Sequence, residues 1–310
     1  MIKLRNTYLG YIYLFFTILF FSTYEVAGKK ISGEVNPFQV NFIRFLIGGL
    51  ILMLILYMKK DIKISAKHFI HAVLPGVLNV AISMSLIQLS LSQKNASAAL
   101  VAVIFSSNPV FVSLFSSIID KEKITVGRII AIAISMLGIL TAFSDKLQNA
   151  SSDIISPLLA LVSAIFYGLY TVLAKNTSSH IGSIKMNAYS FMAGSSMLIP
   201  VFAFSGYNPL HIPKSAVPYM IYLGVFVTGL AYVLYFMGLQ RLGAGKGSMV
   251  FFIKPILASI IAAFALGENI SWRIIAGGLM ILSGMTISKV SVLNGSSNRN
   301  CNRTELLHKN

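Results

Sequence analysis

Three charged residues lie well inside long apolar stretches of the sequence, Glu25, Arg44 and Lys254. A charge at the centre of a membrane costs about 2.5–3.5 kcal/mol on insertion scales, so such residues commonly belong to binding sites or ion pathways. Glu25 could bind a cation, an ammonium group or a proton, and Lys254 could bind a carboxylate. Lys254 also precedes Pro255, which kinks a helix by removing a backbone hydrogen bond. We therefore predict that Glu25 and Lys254 face a central cavity.

Each of these charges also has a structural interpretation. Glu25 lies near the end of its apolar stretch and could reach the membrane interface beside two lysines. Lys254 could pair with Glu25 or with the backbone carbonyl that Pro255 frees. Arg44 is predicted to be structural, with hydrogen bonds near the outer interface. The sequence leaves open whether Glu25 and Lys254 pair.

Neutral polar residues in the apolar stretches extend the predicted lining of the cavity. Tyrosine hydroxyls can orient a ligand, and tyrosine rings can hold a cation. No sequence pattern of a metal site, a catalytic set or a phosphate-binding loop is present, so no metal or cofactor is predicted. The predicted binding residues are Glu25, Asn79, Gln88, Asn108, Tyr167, Tyr170, Tyr232, Tyr235 and Lys254. The predicted structural or hinge residues are Arg44, Pro109, Glu122, Pro255 and Glu268.

The elements that must position these residues are apolar helices. Of the 310 residues, 56% are apolar and 11% are charged, against about 25% charged in a soluble domain. Such a chain cannot cover itself with polar surface, which excludes a conventional soluble enzyme. Ten stretches approach the roughly 20 residues that span a bilayer. They cover residues 8–27, 38–58, 69–89, 96–118, 128–143, 154–174, 186–203, 217–238, 248–266 and 274–289. The polar tail, 291–310, is predicted to be disordered and cytoplasmic.

The basic residues are distributed unevenly among the gaps between these stretches. Of 25 lysines and arginines, 17 lie at the termini and in alternate gaps, and six lie in the other gaps. Positive residues favour the cytoplasmic side of a membrane. The pattern therefore predicts an even number of spans with both termini in the cytoplasm of a bacterial cell. Because the charges do not cluster on one face, a nucleic-acid partner is not predicted despite the net charge of +16.

An internal repeat appears when the sequence is shifted by 146 residues. The third and eighth stretches fit less well than the others and need a small gap. The repeat divides the chain into five-helix halves, 1–146 and 147–290, and an odd helix count inverts the second half relative to the first. Inverted repeats are typical of secondary transporters. The matched pairs include Phe20 with Phe166, Tyr24 with Tyr170, Asn41 with Asn187, Pro109 with Pro255, Glu122 with Glu268, and Gly138 with Gly284.

Over about residues 8–289 the chain resembles the drug/metabolite transporter superfamily, and specifically its ten-helix EamA-type members. The resemblance implies an all-α integral membrane protein of two inverted five-helix repeats. It also implies a central cavity lined mainly by helices 1, 3, 4, 6, 8 and 9. The residues that carry it are Phe21-Ser22-Thr23 and Lys29, Arg44-Phe45, Asn108-Pro109 with Glu122 and Gly138, and Lys254-Pro255 with Leu266-Gly267-Glu268 and Gly284.

Together these features predict a secondary transporter, not an enzyme, that moves a small amphipathic metabolite by alternating access. Export of amino acids or related zwitterions is favoured, because Glu25 could bind an ammonium and Lys254 a carboxylate. One alternative is proton-coupled efflux of cationic drugs through Glu25, against which the Lys254 ammonium counts. A remote alternative is a non-transporting membrane receptor. The expected partners are a small-molecule substrate, the lipid bilayer and a proton as coupling ion, and the oligomeric state stays open.

Overall fold

The fold is all-helical over the part of the chain that this computed structural model describes, residues 2–121, 125–147, 154–206, 208–247 and 250–307. Beyond helices, that part contains one isolated bridge between Ser32 and Val35. Several helices contain a break or a π-helical segment. In chain order the helices are α1 (Ile2–Ser22 and Tyr24–Lys30), α2 (Pro37–Met58), α3 (Ala66–Gly76, Val77–Ser83 and Met84–Ser92), α4 (Ala98–Phe105 and Asn108–Ile119), α5 (Val126–Leu147), α6 (Ile155–Ile181), α7 (Ser183–Ser196 and Ile199–Ser205), α8 (Val217–Ile221, Tyr222–Leu230 and Ala231–Gly247), α9 (Val250–Leu266) and α10 (Trp272–Leu307).

Eight of the described helices, α1 to α8, are long and apolar enough to cross a membrane. The apolar parts of α9 and α10 are shorter in the described residues, Phe251–Leu266 and Trp272–Ser288. A topology of ten spans therefore stays a prediction. Helix α10 continues to Leu307, through most of the tail for which the sequence predicts disorder. The sequence contains no proline after Pro255, so no proline interrupts α10.

Helices α3 and α8 each contain a π-helical segment, Val77–Ser83 in α3 and Tyr222–Leu230 in α8. A shift of 146 residues places 77–83 on 223–229, inside the second segment. A π-helical turn adds a residue to the ordinary helical repeat and often occurs at functional sites. The two segments lie in the third and eighth stretches, which fit the repeat less well than the others.

Small and hydroxylated side chains let the helices pack closely. Ser83 and Ser163 each donate a hydroxyl hydrogen bond to the other's carbonyl, at 2.9 and 2.7 Å. One helical heptad away, the Ser90 hydroxyl donates to the carbonyl of Ser156 at 2.7 Å. These contacts join α3 to the antiparallel α6, and interhelical hydrogen bonds of this kind hold helices together where water is absent.

Alternating helix direction gives the bundle two ends. We call the end with the connections 31–36, 93–97, 208–216 and 267–271 the α1–α2 end. The opposite end, with the connection 59–65 and the described residues 120, 121 and 125, is the α2–α3 end. Side-chain caps begin helices at both, since Ser65 accepts from the backbone N–H of His68 and Ser97 from that of Leu100.

Candidate substrate cavity

A buried ion pair joins α1 to α9 at the centre of the bundle. Lys254 Nζ donates to Glu25 Oε1 at 2.6 Å, and the two side chains are 10% and 1% exposed. Burial takes both charges from water, so each depends on the other for compensation. The structure therefore pairs the two residues, a question that the sequence leaves open. Lys254 lines a cavity, whereas Glu25, for which the same position is predicted, does not line the described cavities.

A break in α1 places Glu25 in the interior. The first part of α1 ends at Ser22 and the second begins at Tyr24. The Thr23 hydroxyl between them donates to the carbonyl of Phe20 at 2.7 Å, which satisfies an acceptor that the break exposes. The second part, Tyr24–Lys30, is buried from Tyr24 to Gly28. The carboxylate thus lies on a short buried helix instead of reaching the membrane interface.

Arg44 of α2 is also buried in this region, with 5% exposure. Its guanidinium carbon lies 4.2 Å from the ring centroid of Tyr24 and 4.4 Å from that of Phe45. Its Nε and Nη1 nitrogens have no hydrogen-bond partner among the described residues. The sequence predicts a structural role for Arg44 near the outer interface, and in the structure Arg44 lines a cavity that Lys254 also lines.

Two neighbouring chambers make up the central cavity. The inner chamber has a volume of about 50 Å³ and the outer chamber one of about 440 Å³. Five residues contribute to the walls of both, so the chambers are adjacent: Phe21, Asn108, Tyr167, Tyr232 and Phe251. Arg44 and Lys254 belong only to the inner chamber, and Tyr170 and Tyr235 only to the outer one.

Aromatic rings form much of the boundary between the chambers. The ring centroid of Phe21 lies 5.2 Å from that of Tyr232 and 6.3 Å from that of Phe251. Tyr235 and Phe251 are 5.6 Å apart. Such rings offer large apolar surface together with hydroxyl groups. The cavity therefore suits a molecule with a charged end and an apolar or aromatic body.

Besides Glu25, two of the predicted binding residues do not line these chambers in the described structure. Gln88 accepts a hydrogen bond from the Tyr24 hydroxyl at 3.1 Å and donates to the carbonyl of Gly28 at 3.0 Å. These hydrogen bonds of Gln88 connect α3 to α1 near the α1–α2 end. Asn79 is fully buried in the π-helical segment of α3, and its two amide atoms have no partner among the described residues.

The predicted structural residues have separate positions. Pro109 follows Asn108 at the start of the second part of α4, and Pro255 lies inside α9. The Glu268 carboxylate accepts hydrogen bonds from the Ser97 hydroxyl and the backbone N–H of Ala98, both at 2.7 Å. It therefore caps the start of α4 from the α9–α10 connection. Glu122 lies outside the described residues.

Contacts close the α1–α2 end of the bundle. The Lys29 ammonium donates to the carbonyls of Leu91 and Gln93 at 3.1 and 2.9 Å. The Gln39 amide donates to the carbonyls of Pro209 and His211 at 2.9 and 2.8 Å. With the Glu268 cap, these bonds involve three connections of this end, 93–97, 208–216 and 267–271.

The outer chamber extends toward the opposite, α2–α3 end, where Arg128 and Lys175 are part of its wall. Lys175 Nζ lies 3.1 Å from Asp120 Oδ2, and their side chains are 61% and 17% exposed. Hydrogen bonds from Asn176, and then from Lys175, lower the pKa of Asp120 below its ordinary value. The mouth of the cavity therefore has polar, charged groups that water can reach.

Comparisons with known proteins agree with this architecture. A model of the EamA-like transporter family matches residues 8–144 and 154–289. The chain belongs to the EamA-like transporter family. An uncharacterized transporter of Clostridium kluyveri is 34% identical over 304 residues, which cover 94% of this chain and 95% of the relative. The uncharacterized transporter YoaV of Bacillus subtilis is 28% identical, over a region that covers 84% of this chain and 89% of YoaV.

A solved structure shares the fold of this EamA-like transporter. It superposes with a TM-score of 0.63 at 17% identity, over 92% of this chain and 98% of the other. The chain is thus a multi-pass membrane transporter and not an enzyme, with a small-molecule substrate. The resemblance drawn from Asn108-Pro109, Lys254-Pro255 and the internal repeat is confirmed.

Many wall residues of the cavity in this EamA-like transporter are absent from the predicted binding set, and four of them show why. Phe21 and Phe251 were not distinguishable from the other phenylalanines of the apolar stretches by type alone. Arg44 is detectable in the sequence as an intramembrane charge, and such a charge favours a functional role over a structural one. Arg128 lies at the boundary of an apolar stretch, where basic residues are common.

Proposed function

We propose that this chain is a secondary transporter that carries a small amphipathic metabolite with a carboxylate group across the bacterial cytoplasmic membrane. Amino acids and related zwitterions are the leading substrate class, and export is the favoured direction. One observation supports this most directly. Buried charges of both signs lie beside a cavity whose walls include many aromatic rings and whose mouth is polar.

The orientation of the cavity supports export. The positive-inside rule assigns the α2–α3 end to the cytoplasm, because 17 of the 25 basic residues lie at the termini and the connections of that end. Both termini are then cytoplasmic and the described state faces inward. A substrate would enter the outer chamber from the cytoplasm, while the contacts of Lys29, Gln39 and Glu268 close the other side.

Alternating access follows from the internal repeat. Two five-helix halves of opposite orientation, 1–146 and 147–290, can exchange conformations so that the cavity opens to each side in turn. The second match to the family begins 146 residues after the first. Pro109 and Pro255 occupy corresponding positions under the same shift, and both lie in helices beside the cavity.

Proton-coupled efflux of cationic drugs is the second candidate, and Glu25 supports it. Glu25 Oε2 is buried without a hydrogen-bond partner among the described residues, so it could accept a proton. The same carboxylate also balances Lys254, and Arg44 adds a second positive charge to the inner chamber. A cationic substrate would meet net positive charge there. The geometry therefore favours a substrate with a negative group.

Transport into proteoliposomes tests the two candidates against each other. The purified protein is reconstituted with a panel of radiolabelled amino acids and with quaternary ammonium compounds, with and without an imposed pH gradient. We expect saturable amino-acid flux that empty liposomes lack. Flux of only the quaternary ammonium compounds, dependent on the pH gradient, would support the drug-efflux candidate. No flux of either class would contradict the proposal.

A further inference from the structure

The inner chamber contains more positive than negative charge. Arg44 and Lys254 line it, and Glu25 compensates Lys254 at 2.6 Å. Arg44 is 95% buried, and no described carboxylate lies within ion-pair distance of it. Removing a guanidinium from water without a partner is costly. The chamber is therefore complementary to one further negative charge.

The surroundings of Arg44 define where such a charge could bind. The rings of Tyr24 and Phe45 lie over the guanidinium, at 4.2 and 4.4 Å, and offer no hydrogen-bond acceptor at those faces. The Nε and Nη1 atoms lack a hydrogen-bond partner in the described structure and are almost completely shielded from water, and Arg44 also forms part of the chamber wall. Guanidinium donors in one plane match the two oxygens of a carboxylate.

No other polar group of the inner chamber accepts a hydrogen bond from Nε or Nη1 of Arg44 in the described structure. The Asn108 amide donates to the carbonyl of Phe105 at 2.8 Å, and the Ser106 hydroxyl donates to that of Ala102 at 2.7 Å. About 10–15 Å³ of cavity admits one water molecule, so about 50 Å³ admits about three to five heavy atoms. That volume fits a carboxylate, and the apolar body must then lie in the 440 Å³ outer chamber.

We propose that Arg44 binds the carboxylate of the substrate in the inner chamber while Glu25 and Lys254 remain paired. This inference rests on the proposed transport function and specifies its substrate class. The required charge is the carboxylate, and a substrate ammonium group is dispensable. Monocarboxylates with an apolar or aromatic body are therefore substrates alongside amino acids.

Three related probes test this assignment: phenylalanine, 3-phenylpropionate, which lacks the ammonium, and phenethylamine, which lacks the carboxylate. Binding is measured as the shift in the thermal unfolding midpoint of the purified protein, and transport as flux into proteoliposomes. We expect both carboxylates to raise the midpoint and to compete with each other for flux. Phenethylamine should do neither. A midpoint shift with phenethylamine, or none with either carboxylate, would overturn the assignment.

Variants of Arg44 identify the binding residue. Arg44→Gln should weaken binding of both carboxylates at least tenfold, and Arg44→Lys should retain part of it, because a lysine keeps the charge without the planar donors. Arg273→Gln, at the start of α10 outside both chambers, is the matched control and should bind as the wild type does. Equal carboxylate binding by Arg44→Gln and the wild type would overturn the assignment. If Arg44→Gln does not fold, the assignment is tested by carboxylate binding to Arg44→Lys and by the three probes on the wild-type protein.

The outcomes separate this inference from the transport function. Arg44-dependent binding of 3-phenylpropionate without flux of any probe would support the carboxylate site and contradict transport of these substrates. Phenylalanine flux that Arg44→Gln leaves unchanged, without competition from 3-phenylpropionate, would support transport and contradict the carboxylate site.

Discussion

The pair of Glu25 and Lys254 makes a prediction about stability at the scale of single residues. Either neutral substitution, Glu25→Gln or Lys254→Met, leaves one buried charge without its partner. Loss of one member of a buried pair costs about 3–5 kcal/mol, whereas neutralising both is often tolerated. We therefore expect each single variant to unfold at a clearly lower temperature than the wild type. The double variant should recover most of the loss in a thermal unfolding assay, and its flux should stay low.

The matched control for this pair is Lys175→Met at the mouth of the cavity. Lys175 pairs with Asp120 at 3.1 Å, but its side chain is 61% exposed. Exposed pairs contribute about 0–1 kcal/mol, so the control should unfold close to the wild-type temperature. A double variant of Glu25 and Lys254 that is no more stable than the two single variants would contradict the compensation of charge.

The sequence identifies charges of the site but not all of their roles. Glu25, Lys254 and Arg44 are detectable because intramembrane charges are rare. The role of Arg44 depends on which side of α2 faces the cavity. That helix is apolar on all sides, so its pattern does not define a cavity face. Only the packing against Tyr24 and Phe45 reveals where the guanidinium lies.

At the scale of helices, two neighbouring glycines of α10 allow a sharp comparison. A Cβ added at Gly277 would lie 2.5 Å from the carbonyl oxygen of Gly138 and 2.7 Å from the Cβ of Ala142, both in α5. A Cβ at Gly278 would meet only Val103, at 3.6 Å, an ordinary contact. Gly277→Ala should therefore destabilise the protein by about 1–3 kcal/mol through overpacking. Gly278→Ala should be neutral or slightly stabilising.

Thermal unfolding of the two glycine variants in the same detergent measures this difference. The substitution is chemically identical and the positions are adjacent, so detergent binding and helix propensity cancel in the comparison. Equal unfolding temperatures would show that α5 and α10 do not approach each other at Gly138 and Gly277.

Helix positions are predictable from the sequence to a greater extent than helix interruptions. All ten apolar stretches correspond to described helices, because burial in a membrane requires continuous apolar sequence. The break at Thr23 and the π-helical segments in α3 and α8 contain no proline. Their own residues therefore do not predict an interruption of the helix. Thr23 contacts the Tyr222 hydroxyl at 2.7 Å, so tertiary contacts accompany the break.

At the scale of the whole molecule, the closed α1–α2 end and the polar mouth at the α2–α3 end predict one-sided access to the cavity. Thr171 lies in the wall of the outer chamber and is half-buried. In a Cys301→Ser background, Thr171→Cys should react with a membrane-impermeant maleimide in inside-out vesicles and react little in right-side-out vesicles. This follows because the positive-inside rule assigns the α2–α3 end to the cytoplasm.

The control for sidedness is Lys94→Cys, an exposed position in a connection of the α1–α2 end. It should show the opposite pattern, with labelling in right-side-out vesicles. A transported carboxylate should slow the labelling of Thr171→Cys, because the apolar body of the substrate would occupy the outer chamber, and should leave Lys94→Cys unaffected. Labelling of Thr171→Cys from both sides at similar rates would contradict a single inward-facing state. Labelling only in right-side-out vesicles would reverse the proposed orientation, and the closed contacts of Lys29 and Gln39 would then face the cytoplasm.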